Sequence, residues 1–540
     1  MNLRAFLSLA AVSVAIAASA EVTLPRIVSN GMVAQRGDSV KIWGKAGPGE
    51  PVSVTAKGLG KGKVKKYKAA VSTAASADST WTVKLPPMPV GGPYAITVND
   101  ITIDNVLSGD VYICSGQSNM ELPVARVTDM FADEIAAYEN PNIRQFNVPS
   151  VVEFGRKNDD VPSGDWRELT QPNVMQYSAL AYFFAKELYE RTGVPVGILN
   201  TCWGGTPVES WISEEWLGDY PMAINQMRLY SDPQYRQNIK RLEAQNYARW
   251  DQVMNAGDPG VGKWQDPALD DSQWAVVDLL STDWATDGLN PVNGSHWFRK
   301  TLSLPAEAAG QPAVLRLGCI VDADSVFVNG QFVGNVTYQY PPRIYQVPAG
   351  LLHEGDNNIT VRMISQHGVG HFVPEKPYKL IVGDKEYSLE GDWRYHLGAR
   401  MPEGPGQEFW CYKPTVLYNA MIHPFLNINV AGAIWYQGES NVNRRNQYAG
   451  LLKTMIANWR EDFDNPDMPF YIVELADYLP FDDVDGRAAW AEMRRVQQQV
   501  ADETENAYFI HNQDLGEWND IHPLNKKTLG IRVVDAVMSR

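Results

Sequence analysis

Cysteine is scarce in this sequence. The chain of 540 residues has four cysteines, Cys114, Cys202, Cys319 and Cys411, too few for a disulfide framework at this length. No Cys-x-x-Cys motif or His/Cys spacing typical of zinc ligands is present, so the sequence predicts no zinc site. Two interpretations of the cysteines stay open: small buried side chains, or one or two disulfides whose pairing the sequence does not assign.

Positive charge is also in short supply, and several catalytic motifs are missing. There are 47 Lys and Arg against 63 Asp and Glu, a net charge of −16, and so acidic a surface repels the phosphates of a nucleic acid. No GxxxxGK[ST], strand-linked GxGxxG or HExxH motif occurs. Phosphoryl transfer, dinucleotide chemistry and zinc proteolysis therefore lack support, and no metal or cofactor is expected.

Long apolar runs are confined to the first twenty residues. Arg4 precedes an apolar stretch at 6–17, and small residues fill 18–20, a pattern typical of a secretory signal peptide. The stretch is shorter than the roughly 20 apolar residues of a membrane-spanning helix. We therefore expect a protein exported to the periplasm or the medium, with no membrane span.

Hydrophobic periodicity divides the rest of the chain into four segments. Residues 21–105 alternate apolar and polar side chains in short runs broken by Gly and Pro, which predicts a β-sandwich. Residues 106–245 and 403–540 alternate helices with short apolar strands, which predicts an α/β domain whose parallel sheet has helices on both faces. Residues 246–402 return to period two and predict an all-β domain inserted into that α/β domain.

Ser118 is the candidate nucleophile. It follows the predicted buried strand at 110–114, within Ser-Gly-Gln-Ser-Asn-Met at 115–120, and therefore lies at the carboxyl edge of the sheet, where open α/β proteins bind ligands. The alternative is a purely structural role as a helix N-cap serine. A serine nucleophile needs a base, and His522, just beyond the last predicted strand, is placed to meet it. Asp520 and Asp514 are both candidates to orient the imidazole.

Two further loops follow predicted strands at the same edge. The loop at 200–206 contains Gly204 and Gly205, whose backbone can aim N–H groups inward, although a simple tight turn is the alternative reading. The loop at 437–441 offers the Gln437 side-chain amide and Glu439; we expect Glu439 to be a buried structural carboxylate. Together, the four loops predict a nucleophilic hydrolase site.

These four loops resemble the serine, glycine, amide and histidine blocks of the SGNH (GDSL-like) hydrolases, and most of all the sialate O-acetylesterase branch of carbohydrate esterases. The resemblance rests on Gly-Gln-Ser-Asn-Met at 116–120, Trp-Gly-Gly-Thr at 203–206, Lys-Pro-Thr-Val-Leu-Tyr-Asn at 413–419, Trp-Tyr-Gln-Gly-Glu-Ser-Asn at 435–441 and Asp-Ile-His-Pro at 520–523. It implies a flavodoxin-like three-layer α/β/α core.

The same resemblance implies roles for individual residues. Ser118 would be the nucleophile and His522 the general base. The oxyanion hole would comprise the N–H groups of Ser118 and Gly205 and the side-chain amide of Gln437, which stands where these blocks usually have Asn. In these blocks the acid usually lies three residues before the histidine, and that position is Asn519 in this sequence. Asp520 is therefore the preferred acid, with Asp514 or a Ser–His pair without an acid as alternatives. The expected supporting residues are Gln117, Asn119, Glu439 and Asn441.

The inserted segment, above all 319–335, resembles the galactose-binding-like jelly-roll domains found beside glycoside hydrolase barrels.

The resemblance of the four loops to carbohydrate esterases implies an exported carbohydrate O-acetylesterase with an acetyl-enzyme intermediate. Sialic acid and plant glycans such as acetylated xylan or xyloglucan are both candidate acetyl carriers. A catalytically inactive carbohydrate-binding protein, and a lipase or thioesterase on the same core, are the alternatives. The sequence indicates no oligomeric state.

Overall fold

The computed structural model describes residues 21–540, and the signal peptide expected at 1–20 lies outside them. Residues 21–105, predicted as the N-terminal β segment, are mostly strands, the last of which runs on into the α/β domain. The alternating burial of this segment places apolar side chains such as Val52 and Val54 inside and polar neighbours outside, as expected for strands with one solvent-facing side. One short helix, α1 (Gly62–Lys66), accompanies strands β1 (Val33–Gln35), β2 (Val40–Lys45), β3 (Pro51–Gly58), β4 (Lys68–Ala74), β5 (Thr80–Leu85), β6 (Gly91–Val98) and β7 (Ile101–Gly116).

The first half of the α/β domain continues directly from β7. Helix α5 begins where the Ser178 hydroxyl accepts a hydrogen bond from the Ala181 N–H at 3.2 Å, and it ends at Gly193, whose φ of +66° suits glycine. The elements of this half are α2 (Ser118–Glu121), α3 (Thr128–Ala136), β8 (Asn140–Asn147), β9 (Trp166–Leu169), α4 (Gln171–Val174), α5 (Ala179–Thr192), β10 (Val196–Cys202), α6 (Pro221–Ser231) and α7 (Pro233–Gly257).

Beyond the end of α7, the inserted segment consists of β-strands, with short 3₁₀ helices at 283–285 and 306–308. One antiparallel sheet has the order β11-β24-β14-β20-β17-β18 and another the order β19-β15-β22-β23, and apolar residues from both share one core. The strands are β11 (Ala275–Asp278), β12 (Thr286–Asp287), β13 (Asn290–Pro291), β14 (Asn293–Leu304), β15 (Ala313–Leu317), β16 (Ile320–Val321), β17 (Ala323–Val328), β18 (Gln331–Val336), β19 (Ile344–Val347), β20 (Gly355–Ser365), β21 (His371–Phe372), β22 (Tyr378–Val382), β23 (Lys385–Ser388) and β24 (Asp392–Met401).

The chain then completes the α/β domain with β25 (Gly432–Tyr436), α8 (Arg445–Asp462), β26 (Phe470–Val473), α9 (Val484–Glu503), β27 (Ala507–Ile510) and α10 (Lys526–Met538). The central sheet has the order β27-β26-β25-β7-β10-β8-β9, parallel except at β9. Side chains on one face, such as Ile113 and Trp435, pack with α8 and α9. Those on the other, such as Tyr112 and Ile434, pack with α5 and α10. The protein is therefore a mixed α/β protein with a largely parallel central sheet and additional β sheets.

Two junctions between the segments lie inside regular elements. Strand β7 pairs with β6 in the N-terminal part and with β10 and β25 in the α/β domain, so the boundary expected at 105/106 falls within one strand. The boundary expected at 245/246 falls within α7, whose Trp250 and Met254 pack against Ala399 of β24. All four cysteines are buried and free. Within 21–540, no helix is long and apolar enough to span a membrane.

Candidate active site

Ser118 lies at the carboxyl end of β7, the middle strand of the parallel sheet. Residues 106–120 are buried except for Ser118, which is partly exposed. The turn before it requires glycine, because Gly116 has a φ of +134° and a Cβ there would lie 2.1 Å from the Tyr436 carbonyl oxygen. The backbone therefore presents one hydroxyl to solvent from an otherwise buried segment.

Asn119 joins the Ser118 turn to two other predicted loops. Its side-chain amide donates to Glu439 Oε1 at 2.7 Å and to the Ile521 carbonyl at 2.8 Å. Its Oδ1 accepts from Lys526 Nζ at 2.7 Å. Because Ser118 precedes Asn119 and His522 follows Ile521, this bonding brings the predicted nucleophile and base to the same place. Within the described part of the chain, no hydrogen bond joins Ser118 Oγ to His522 directly.

The 203–206 loop packs beside the same turn. A Cβ on Gly204 would lie 3.3 Å from the Cβ of Ser118, and the Gly204 N–H donates to Glu121 Oε2 at 2.6 Å. Gly205 has a φ of +75°, and a Cβ there would collide with the Tyr412 hydroxyl at 2.0 Å. No hydrogen bond from the Gly205 N–H occurs among residues 21–540, so this donor is available to a ligand.

Gln437 supports that loop instead of presenting a free amide. It is fully buried, and its two amide hydrogens are donated to the Thr206 carbonyl at 3.1 Å and to Asn441 Oδ1 at 2.8 Å. Both donors are therefore already used, which departs from the expected oxyanion role. Asn441 in turn donates to Glu209 at 3.0 Å. Gln117 Oε1 accepts from the backbone of Gly438 and Ser440 at 3.4 and 3.3 Å.

His522 is buried, and its imidazole stays neutral at ordinary pH. Burial, together with the smaller effect of the positive charges of Lys526 and Arg126, lowers its pKa to about 3. Asp520 Oδ1 accepts from the His522 backbone N–H at 2.9 Å and lies 3.9 Å from Nδ1, which is left without a partner among residues 21–540. The alternative carboxylate, Asp514, pairs with Arg532 at 2.6 and 2.7 Å. Of the two acids, only Asp520 faces His522.

Two further charged side chains are buried around Asn119. Burial raises the pKa of Glu439, whose Oε2 accepts no hydrogen bond from the described residues. Burial lowers the pKa of Lys526 to about 7, against the opposing effect of Glu439. No group of three or more His, Cys, Asp or Glu side chains within 21–540 is placed to hold a metal ion.

The inserted domain contributes contacts to the His522 loop that sequence reasoning missed. Lys376 Nζ pairs with Glu517 Oε2 at 3.0 Å and with Asp520 Oδ2 at 3.1 Å. The Asn519 side chain donates to the Pro374 carbonyl at 2.8 Å. The Tyr340 ring packs edge-on against the imidazole, with centroids 5.3 Å apart. No local motif marks these residues, because the contacts bridge more than 140 positions of sequence.

A model of the family described as "Carbohydrate esterase, sialic acid-specific acetylesterase" matches residues 108–251 and 404–539, more than half of the chain. The chain belongs to this family. The matched residues contain all four loops of the candidate site and omit most of the inserted domain.

Curated relatives are similar to this chain over different lengths. The human sialate O-acetylesterase is 33% identical over 204 residues, which cover 34% of this chain and 38% of the human protein. The rat sialate O-acetylesterase is 23% identical over 541 residues, covering 94% of this chain and 71% of the rat protein. The chain thus spans less than two fifths of the human relative's length.

A solved structure shows the same fold along nearly the whole chain. It is a carbohydrate acetylesterase from Xanthomonas citri, 22% identical, with a TM-score of 0.55 and coverage of 96% of this chain and 74% of the other. The inserted β domain is therefore part of an architecture that the Xanthomonas citri protein shares.

Proposed function

We propose that this protein is an exported carbohydrate O-acetylesterase with a serine nucleophile. The single observation that supports it best is the Asn119 hydrogen-bond set, because it holds Ser118, Glu439 and the His522 loop together beside the 204–205 turn. Family membership supports the ester-hydrolase chemistry. The 1–20 pattern supports export. We also propose that the α/β domain is an SGNH-hydrolase core and the inserted domain a jelly roll.

In the proposed mechanism, His522 Nε2 accepts the proton as Ser118 Oγ attacks the acetyl carbonyl carbon. The N–H groups of Ser118 and Gly205 stabilise the negative charge on the carbonyl oxygen. His522 then returns the proton to the departing sugar oxygen, which leaves an acetyl ester on Ser118. Water, deprotonated by His522, then attacks that ester; the bond between the acetyl carbon and Ser118 Oγ breaks, His522 returns the proton to Oγ, and acetate is released. The Asp520 carboxylate, 3.9 Å from Nδ1, favours the transient positive charge on the imidazole.

Enzymatic measurement of released acetate tests this function. Purified protein is incubated with 4-nitrophenyl acetate, O-acetylated sialic acid and O-acetylated xylan. We expect acetate from the nitrophenyl ester and from at least one of the carbohydrates, and little product from 4-nitrophenyl octanoate. No turnover of any acetyl ester would overturn the proposal in favour of a carbohydrate-binding protein, and a preference for octanoate would point to a lipase or thioesterase.

Replacing Lys376 by methionine tests whether the inserted domain supports the proposed catalytic histidine. Lys376 neutralises the neighbouring carboxylates of Glu517 and Asp520, and without it their repulsion would displace the loop that holds His522. We expect kcat for acetyl esters to fall about tenfold with little change in KM, since small displacements of reacting groups are costly.

The conservative variant Lys376→Arg is expected to recover part of the lost kcat, because it restores the positive charge. Lys379→Met serves as the matched control, since Lys379 pairs with Glu386 within the inserted domain and not with the His522 loop. Equal kcat values for the Lys376→Met and wild-type proteins would show that the inserted domain does not position the site.

A further inference from the structure

A cavity of about 1110 Å³ opens beside the 203–206 loop. Pro207 and Ser440 line it, and the Ser440 hydroxyl donates to the Gly205 carbonyl at 2.6 Å. Tyr412 also lines it and abuts Gly205 from the same side. The cavity thus adjoins, through Ser440 and Tyr412, the turn whose N–H is proposed to face the acetyl oxygen. It is larger than an acetyl group requires, since pockets that enclose drug-sized ligands run to about 300–1,000 Å³.

The lining chemistry suits sugar rings. Four tyrosines contribute aromatic surface, and aromatic rings pack well against the apolar faces of ligands. The exposed amides of Asn225, Gln226 and Gln447 form no hydrogen bonds with other described residues. These amides are free to bind hydroxyl groups. The tyrosines are Tyr220, Tyr230, Tyr235 and Tyr412; together with Asn225, Gln226 and Gln447 we name this surface the tyrosine cleft.

The charges around the tyrosine cleft do not favour an anionic ligand. Its two cationic lining residues are both engaged, since Lys413 pairs with Glu408 and Arg444 pairs with the buried Glu209. Asp219, also in the lining, has no ion-pair partner within 21–540. A carboxylate entering the cleft would therefore compete with Glu408 or Glu209 for a cation and would face Asp219, whereas a neutral sugar would find aromatic faces and amides.

We propose that the tyrosine cleft binds further neutral sugar residues of an oligosaccharide whose acetyl group reaches Ser118. This inference rests on the proposed esterase function and specifies its substrate class: an acetylated neutral glycan chain rather than a single acidic sugar. The chain length beyond the acetylated residue then contributes binding energy that a monosaccharide cannot supply.

The experiment compares kcat/KM for O-acetylated xylotetraose, O-acetylated cellotetraose, the corresponding acetylated methyl monosaccharides, O-acetylated sialic acid and 4-nitrophenyl acetate. We expect the wild-type protein to prefer at least one tetrasaccharide over its monosaccharide by tenfold or more. In Tyr220→Ala, kcat/KM for that tetrasaccharide should fall about tenfold further than kcat/KM for 4-nitrophenyl acetate. Gln226→Ala, on the exposed face of α6, tests the same surface should Tyr220→Ala not fold.

Tyr247→Ala is the matched control, because Tyr247 lies on α7 outside the cavity lining; we expect it to preserve the preference for the tetrasaccharide. Equal kcat/KM for both tetrasaccharides and their monosaccharides, or a preference for O-acetylated sialic acid, would overturn the cleft assignment while leaving the esterase function intact. Failure to hydrolyse 4-nitrophenyl acetate or any other acetyl ester would instead overturn the esterase function itself.

Discussion

Ser118→Ala is expected to abolish acetyl-ester hydrolysis, with a loss in kcat of at least about 10³-fold. Ser118 is the partly exposed hydroxyl in the buried stretch at 106–120, and alanine removes the oxygen that would carry the acetyl group. The residual rate would come from substrate binding and from backbone donors that the substitution leaves in place. The measurement is acetate release from 4-nitrophenyl acetate at saturating substrate.

Ser115→Ala is a matched control for this loss. Ser115 lies three residues earlier on β7, is fully buried, and its hydroxyl has no hydrogen-bond partner in the described structure, so removing it should change neither activity nor stability appreciably. We expect the free energy of unfolding of both variants, measured by thermal denaturation, to stay within about 1 kcal/mol of the wild-type value. Wild-type kcat in Ser118→Ala, with Ser115→Ala equally active, would show that the nucleophile is another residue.

The fold was largely predictable where burial and periodicity agree. The short apolar runs at 196–199, 433–436, 471–473 and 508–510 predict strands, and they lie within β10, β25, β26 and β27. Strand β8 was missed because Arg144 and Gln145, which lie on its opposite faces, are polar although both are buried. Arg144 is satisfied by the Gly31 carbonyl and by Asn105 from the N-terminal part, partners that no local pattern can reveal.

The candidate site was predictable as four loops but not as a set of contacts. Parallel strands bring their carboxyl ends to one edge, so the positions of Ser118, Gly205 and Gln437 follow from sheet topology. Topology does not determine the hydrogen-bond partners of side chains. The Gln437 amide, a predicted donor to the substrate, instead donates to Thr206 and Asn441 within the protein. Lys376 was missed for a related reason: its partners lie in another segment of the chain.

The acid limb of the pH profile is expected to be displaced far below the usual range for histidine. Because burial lowers the pKa of His522 to about 3, the imidazole is the neutral, proton-accepting form throughout pH 5 to 6.5. With an ordinary pKa of about 6.5, the neutral fraction would fall from about 50% at pH 6.5 to about 3% at pH 5, a roughly 16-fold loss. We therefore expect kcat/KM for 4-nitrophenyl acetate, which reports the free enzyme, to change less than about threefold over that interval.

The charged groups that face His522 provide a test of whether its lowered pKa controls the acid limb. Lys526 and Arg126 oppose protonation of the imidazole, whereas Asp520 favours it but is shared with Lys376. Arg126 has no ion-pair partner among residues 21–540, so Arg126→Gln removes a positive charge without leaving a carboxylate unpaired. The substitution should raise the pKa of His522 and move the acid limb to higher pH. Arg249→Gln, on the exposed surface of α7, should leave the profile unchanged. A wild-type kcat/KM that declines tenfold per pH unit below 6.5, unaffected by Arg126→Gln, would mean that the base is a solvent-exposed group and not His522.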